Sequence, residues 1–177
     1  MKKEKMNNKG FSLVELIIVI AIMAVLIVVL APQYLKYVEK SRNSTDLQNA
    51  TEMVTALQVY ASDPDVASAD AYVAEKAFTV TVSSSGTKIE GDNAKAAKAA
   101  LYEAGLSASK TDNPATTCVS RTNWKSYQIQ GTVQKNGSIT FVYTSSTDGD
   151  SGTGDTTTFA NAMAGKTGTT TGSGTGE

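Results

Sequence analysis

The sequence predicts an α+β protein, a long N-terminal α-helix with a hydrophobic first half, packed on a small antiparallel β-sheet domain. Three observations carry that expectation. Sixteen consecutive apolar residues run from Leu16 to Ala31. An apolar stripe at spacings of three and four continues to Asp63-Pro64, the period of an amphipathic helix. Beyond the proline, two regions alternate apolar and polar residues with the period of half-buried strands.

The helix comes first. With Leu13 and Val14 the apolar run covers nineteen positions, interrupted only by Glu15. At ~1.5 Å per residue that is about 28 Å, close to the ~30 Å hydrocarbon core of a bilayer. Lys2, Lys3, Lys5 and Lys9 precede it against a single Glu4, so this flank is expected to stay cytoplasmic. After Pro32, Tyr34, Leu35 and Val38 form one apolar patch, and Leu47, Ala50, Val54, Leu57 and Ala61 continue the stripe. Lys36, Glu39, Lys40, Arg42, Asp46 and Glu52 are assigned to the polar face. The run Arg42 to Asp46 is the weak point, where Thr45-x-x-Gln48 could cap a new helix. One continuous helix is favoured, with a kink at Pro32. It ends at Asp63-Pro64, because a residue before proline avoids the α region.

The sheet domain follows. Phe78, Val80 and Val82 alternate with Thr79, Thr81 and Ser83; Ser83 to Gly86 reads as a turn, and Thr87 to Glu90 pair back. Asp92 or Asn93 then caps a short alanine-rich helix that Gly105 ends. Tyr127, Ile129 and Val133 face Ile139, Phe141 and Tyr143 across Asn136-Gly137, a two-residue turn signal. Trp124 reads as a core or sheet-edge anchor. Phe159, Ala160, Ala162 and Met163 dock a last turn or strand. Eight of the 14 glycines lie between Gly149 and Gly176, so the end reads as a poorly ordered tail. Asp148, Asp150 and Asp155 lack the spacing and closing Glu of an EF-hand.

Composition narrows the function. The chain has 177 residues, a formal net charge of -1, no histidine and one cysteine, Cys118. Near-neutrality gives no nucleic-acid surface. The absent histidine removes the most frequent general base and metal ligand. Cys118 reads as a buried small side chain. No nucleophile motif or phosphate-binding glycine loop is present, so the chain is not expected to be an enzyme, and no cofactor or metal is assigned.

Glu15 is the residue to explain. A secretory signal peptide is disfavoured, since Pro32 directly follows the small residue Ala31 of Val29-Leu30-Ala31 and Glu15 stands near the start of the apolar region. A plain membrane anchor leaves a carboxylate in lipid without purpose. A third reading gives it one. A cut between Gly10 and Phe11 would create an amine one helical turn from Glu15. In a staggered bundle of copies, that carboxylate could then meet the next chain's amine and set register.

The stretch "KGFSLVELIIVIAIMAVL", with its basic leader ending in Gly10, resembles the prepilin leader and N-terminal segment of type IV pilins. The short leader and Phe11 look like the type IVa class. The lone cysteine and missing histidine are closer to Gram-positive, notably clostridial, major pilins. The resemblance covers about the first fifty residues. It implies removal of leader 1–10 after Gly10 by a prepilin peptidase that also methylates the Phe11 amine. Glu15 becomes the register residue and Pro32 the helix kink.

The expected organisation is a membrane and filament-core helix over 11–32, its amphipathic half over 33–62, a head over 65–165 and a tail over 166–177. The expected function is a major pilin in a helical filament of identical subunits, serving adhesion, surface motility or biofilm. Its partners would be membrane lipid before assembly, the peptidase, an assembly platform and an ATPase. The prepilin would span the cytoplasmic membrane once before joining an extracellular pilus. A minor pilin or pseudopilin of a secretion or competence system is the alternative within the class. An unprocessed single-span adhesion module is the alternative outside it.

Overall fold

The computed structural model describes residues 12–66, 68, 70–146 and 157–167. Gly10, Phe11, the leader lysines and Asp148, Asp150 and Asp155 lie outside the described residues. So does most of the expected tail.

The first element is one helix, α1, Leu13–Ala61, with Pro32 inside it. The expected weak point does not break it. Ser44 and Thr45 turn their hydroxyls back onto the carbonyls of Lys40 and Ser41, at 3.0 and 3.1 Å, so Thr45 starts no new helix. That back-bonding lets polar residues stay inside a helix. The chain divides into two compact units, residues 1–38 and 39–177.

The first unit carries the apolar half of α1. Every large apolar side chain from Leu13 to Leu30 is at least 47% exposed. Among the described residues this is the single helix apolar and long enough to cross a membrane.

The second unit is the head. Four strands, β1 (Ala77–Ser83), β2 (Gly86–Glu90), β3 (Ser126–Val133) and β4 (Ile139–Ser146), form one antiparallel sheet in the order β2-β1-β3-β4. The alternation read from the sequence is the observed one: Phe78, Val80, Val82, Tyr127, Ile129 and Phe141 are all buried. They share a core with Ala50, Met53, Val54, Leu57 and Tyr60 of α1.

The β3–β4 connection differs from the expected two-residue turn. Gln134 and Ser138 close the hairpin through a 2.8 Å N–H···O bond, and the Gly137 N–H returns to the Gln134 carbonyl at 3.0 Å. The loop therefore has three residues, Lys135 to Gly137. Only Gly137 takes a positive φ, +84°. A type I′ turn needs positive φ at both centres, so Asn-Gly here serves a type I turn closed by a left-handed glycine.

Helix α2 (Ala94–Glu103) ends as expected at Gly105. Gly105 N–H bonds Tyr102 C=O at 2.9 Å and Leu106 N–H bonds Leu101 C=O at 2.8 Å, the paired bonds of a Schellman end. Its start is less expected. Asn93 holds the N-cap position without a capping bond. Its buried side chain instead takes the Val73 N–H and donates to the carbonyls of Val73 and Lys76. The final turn or strand is a helix, α3 (Thr157–Thr167), with Phe159 and Met163 fully buried. Phe159 stacks on Tyr127 with centroids 4.5 Å apart and meets Trp124 edge-on at 5.2 Å. Trp124 is thus the core anchor it was expected to be.

Candidate functional site

The candidate site has two parts, the start of α1 and a carboxylate clamp further along it.

At the start, the Ser12 N–H donates to Glu15 Oε2 at 2.9 Å, and the Leu16 N–H donates to the Ser12 carbonyl at 3.2 Å. Ser12 is therefore the N-cap. Glu15, three residues on, reaches back to an N–H that the helix cannot satisfy. This is one arm of a capping box. It also sets a negative charge on the positive end of the helix dipole. The signal was present as Ser12-x-x-Glu15, but the apolar run drew attention from it. The bond occupies Oε2; Oε1 accepts nothing among the described residues. Behind this cap, a helix apolar on all sides cannot rest in water, and it must find lipid or other helices. Pro32 removes one donor inside it and leaves the Val28 carbonyl without its helical partner.

The clamp was not foreseen. Asp46, assigned from its type to the polar face, is fully buried. It stands four residues before Ala50, on the stripe that enters the core. Its Oδ1 accepts the Val119 N–H at 2.8 Å. Its Oδ2 accepts the Ser120 N–H at 2.8 Å, the Trp124 indole N–H at 2.9 Å and the Cys118 thiol at 3.4 Å. Two turns earlier, Glu39 Oε1 accepts the Ser120 hydroxyl and the N–H groups of Arg121 and Thr122 at 2.7–2.8 Å. Its other oxygen lies 3.6 Å from the Arg42 guanidinium. Burial pushes the Glu39 carboxyl up. The donors from Thr122, Arg121, Ser120 and Asn123 outweigh that and bring its pKa down from 4.5 to about 2. Two carboxylates of α1 thus hold the loop 118–124 by its backbone. Burial, then the charge and hydrogen bond of Asp46, push the Cys118 thiol far above its ordinary value. A thiolate nucleophile is disfavoured there. Among the described residues no group of three or more His, Cys, Asp or Glu side chains gathers as a metal site.

Residues 5–31 match the family model described as the prokaryotic N-terminal methylation motif. The N-terminal segment is similar to that of type IV fimbrial proteins. The type IV major fimbrial protein FimA of Dichelobacter nodosus is 37% identical over 59 residues, 33% of this chain and 38% of that protein. The fimbrial protein EcpC of Eikenella corrodens is 41% identical over 76 residues, 43% of this chain and 50% of its own. The match thus spans half or less of these relatives' lengths. No solved structure matches the chain significantly. The resemblance to type IV pilins stands on these matches, and the α+β fold on the elements described above. The clostridial placement rests on the sequence resemblance alone. The pilin motif ends at residue 31, so the clamp at Glu39 and Asp46 lies beyond it.

Proposed function

We propose that the chain is the structural subunit of a type IV pilus, a major pilin made as a membrane-held prepilin and polymerised through α1. One observation carries the reading. A helix apolar on every side begins at a capped Ser12-x-x-Glu15, one residue after the Gly10-Phe11 junction, inside the methylation motif.

The lysines of residues 1–10 hold the leader in the cytoplasm, and α1 waits in the bilayer. A prepilin peptidase cuts after Gly10 and methylates the Phe11 amine. Extraction then exchanges lipid for other copies' helices. Lipid is as apolar as leucine, so the exchange is nearly neutral in apolar burial. An ATPase on the assembly platform can therefore drive growth or withdrawal. Glu15 supplies register. Its Oε2 stays with Ser12 while Oε1 receives the Phe11 amine of a neighbour, and an unpaired carboxylate in that core would cost several kcal/mol. The role is structural rather than catalytic, on the cell surface, in adhesion, surface motility or biofilm. Filament abundance separates this from a minor pilin or pseudopilin.

The test is the N-terminal sequence and intact mass of the chain in filaments sheared from cells. A start at methylated Phe11 is expected. A start at Met1, confined to membranes, would overturn the proposal in favour of an unprocessed anchor.

A further inference from the structure

The head has an open groove of about 850 Å³ between α1, the turn after it and the end of α2. Its lining is partly apolar, with Ala56, Val59, Ala104 and Leu106. It is also acidic: Glu52, Asp63, Asp65, Asp70 and Glu103 stand against Lys110 among the described lining residues. Two of those carboxylates are already paired, Glu103 with Lys110 at 2.8 Å and Asp70 with Lys95 at 3.0 Å. Glu52, Asp63 and Asp65 have no cation within bonding distance among the described residues. Val59 in this lining is 65% exposed. An apolar surface beside unmatched carboxylates fits an apolar or aromatic residue flanked by cations.

The same chain carries that complement. On α1, Tyr34, Leu35 and Tyr37 are 68%, 65% and 72% exposed. Lys36 and Lys40 are exposed too, one turn apart beside Tyr37. Neither lysine meets a carboxylate among the described residues. Tyrosine is an efficient interface anchor, because its ring covers much area for few rotatable bonds.

We infer that the acidic groove of one copy receives the Tyr34–Lys40 strip of a second copy. Tyr37 covers Val59, and Lys36 and Lys40 pair with Glu52, Asp63 and Asp65. This rests on the filament reading above and adds to it a specific contact outside the apolar core. Groove and strip are different surfaces of one chain, so the contact is head-to-tail and propagates instead of closing a dimer.

Two measurements test it on filaments from cells. Tyr37→Cys combined with Val59→Cys, mildly oxidised in sheared filaments, should give a ladder of covalent oligomers. Either single variant should give none. Lys36→Glu with Lys40→Glu should cut filament yield at least tenfold, and adding Glu52→Lys with Asp63→Lys should restore it. If reversal stops the subunit from accumulating in membranes, the cysteine ladder decides alone. Filaments of the unaltered chain starting at Phe11, with no ladder and unchanged yield on charge reversal, would overturn this contact and leave the filament reading standing. No filaments from the unaltered chain would end both.

Discussion

Single carboxylates decide much of this molecule. Glu39 has a folded pKa of about 2 against an ordinary 4.5. A depressed pKa contributes stability that is present above 4.5 and lost as pH falls toward 2. Urea midpoints at pH 7, 4 and 2.5 should therefore decline steeply over the last interval, and Glu39→Gln should flatten it. Asp46→Asn should cost about 3 kcal/mol or more, because an amide puts donors against the donors of Val119, Ser120 and Trp124. At the other end of α1, Glu15→Gln separates two duties. An amide oxygen can still cap Ser12 but cannot neutralise an ammonium. Membrane levels of Glu15→Gln should match the unaltered chain while sheared filaments disappear; intact filaments would mean that capping is its whole task. Position 46 shows where residue type misleads. Its spacing to Ala50 put it on the buried stripe, but a carboxylate is ordinarily read as solvated. The four donors that make burial tolerable come from residues 72–78 places away. No local pattern announces them.

The elements were mostly legible because each obeyed its own period. The strands showed alternation, α2 showed its terminal glycine, and α1 held its stripe past a weak sequence. What escaped was turn geometry and cap use. Asn136-Gly137 suits two turn types, and only the pairing of Gln134 with Ser138 chooses between them. Asn93 was drawn from its helix by three loop groups. Gly131 gave no warning either. It lies opposite Phe78 in the β1–β3 register, and a Cβ there would run into the Phe78 ring. That ring is itself stacked on Tyr72 and set edge-on to Phe141, so it has little room to yield. Gly131→Ala should destabilise the head by about 1–3 kcal/mol, read as a lower denaturant midpoint with an unchanged slope.

For the whole molecule, the division after Val38 makes a clean prediction. A chain starting at Lys36 keeps Glu39, Asp46 and the complete described core while losing the apolar run. It should be soluble without detergent and melt in one cooperative transition; aggregation on expression would show that the head needs the missing half. In the folded head Cys118 should resist alkylation at neutral pH and react on adding urea, as its burial beside Asp46 requires. The clamp has a chemical consequence besides its hold on the loop. It ties residues 118–124 to helix positions 73, 74 and 82 places earlier using protons already on the chain, with no electron acceptor and no oxidase. A chain fastened this way can fold in surroundings free of oxygen. Its melting temperature should be the same with and without dithiothreitol.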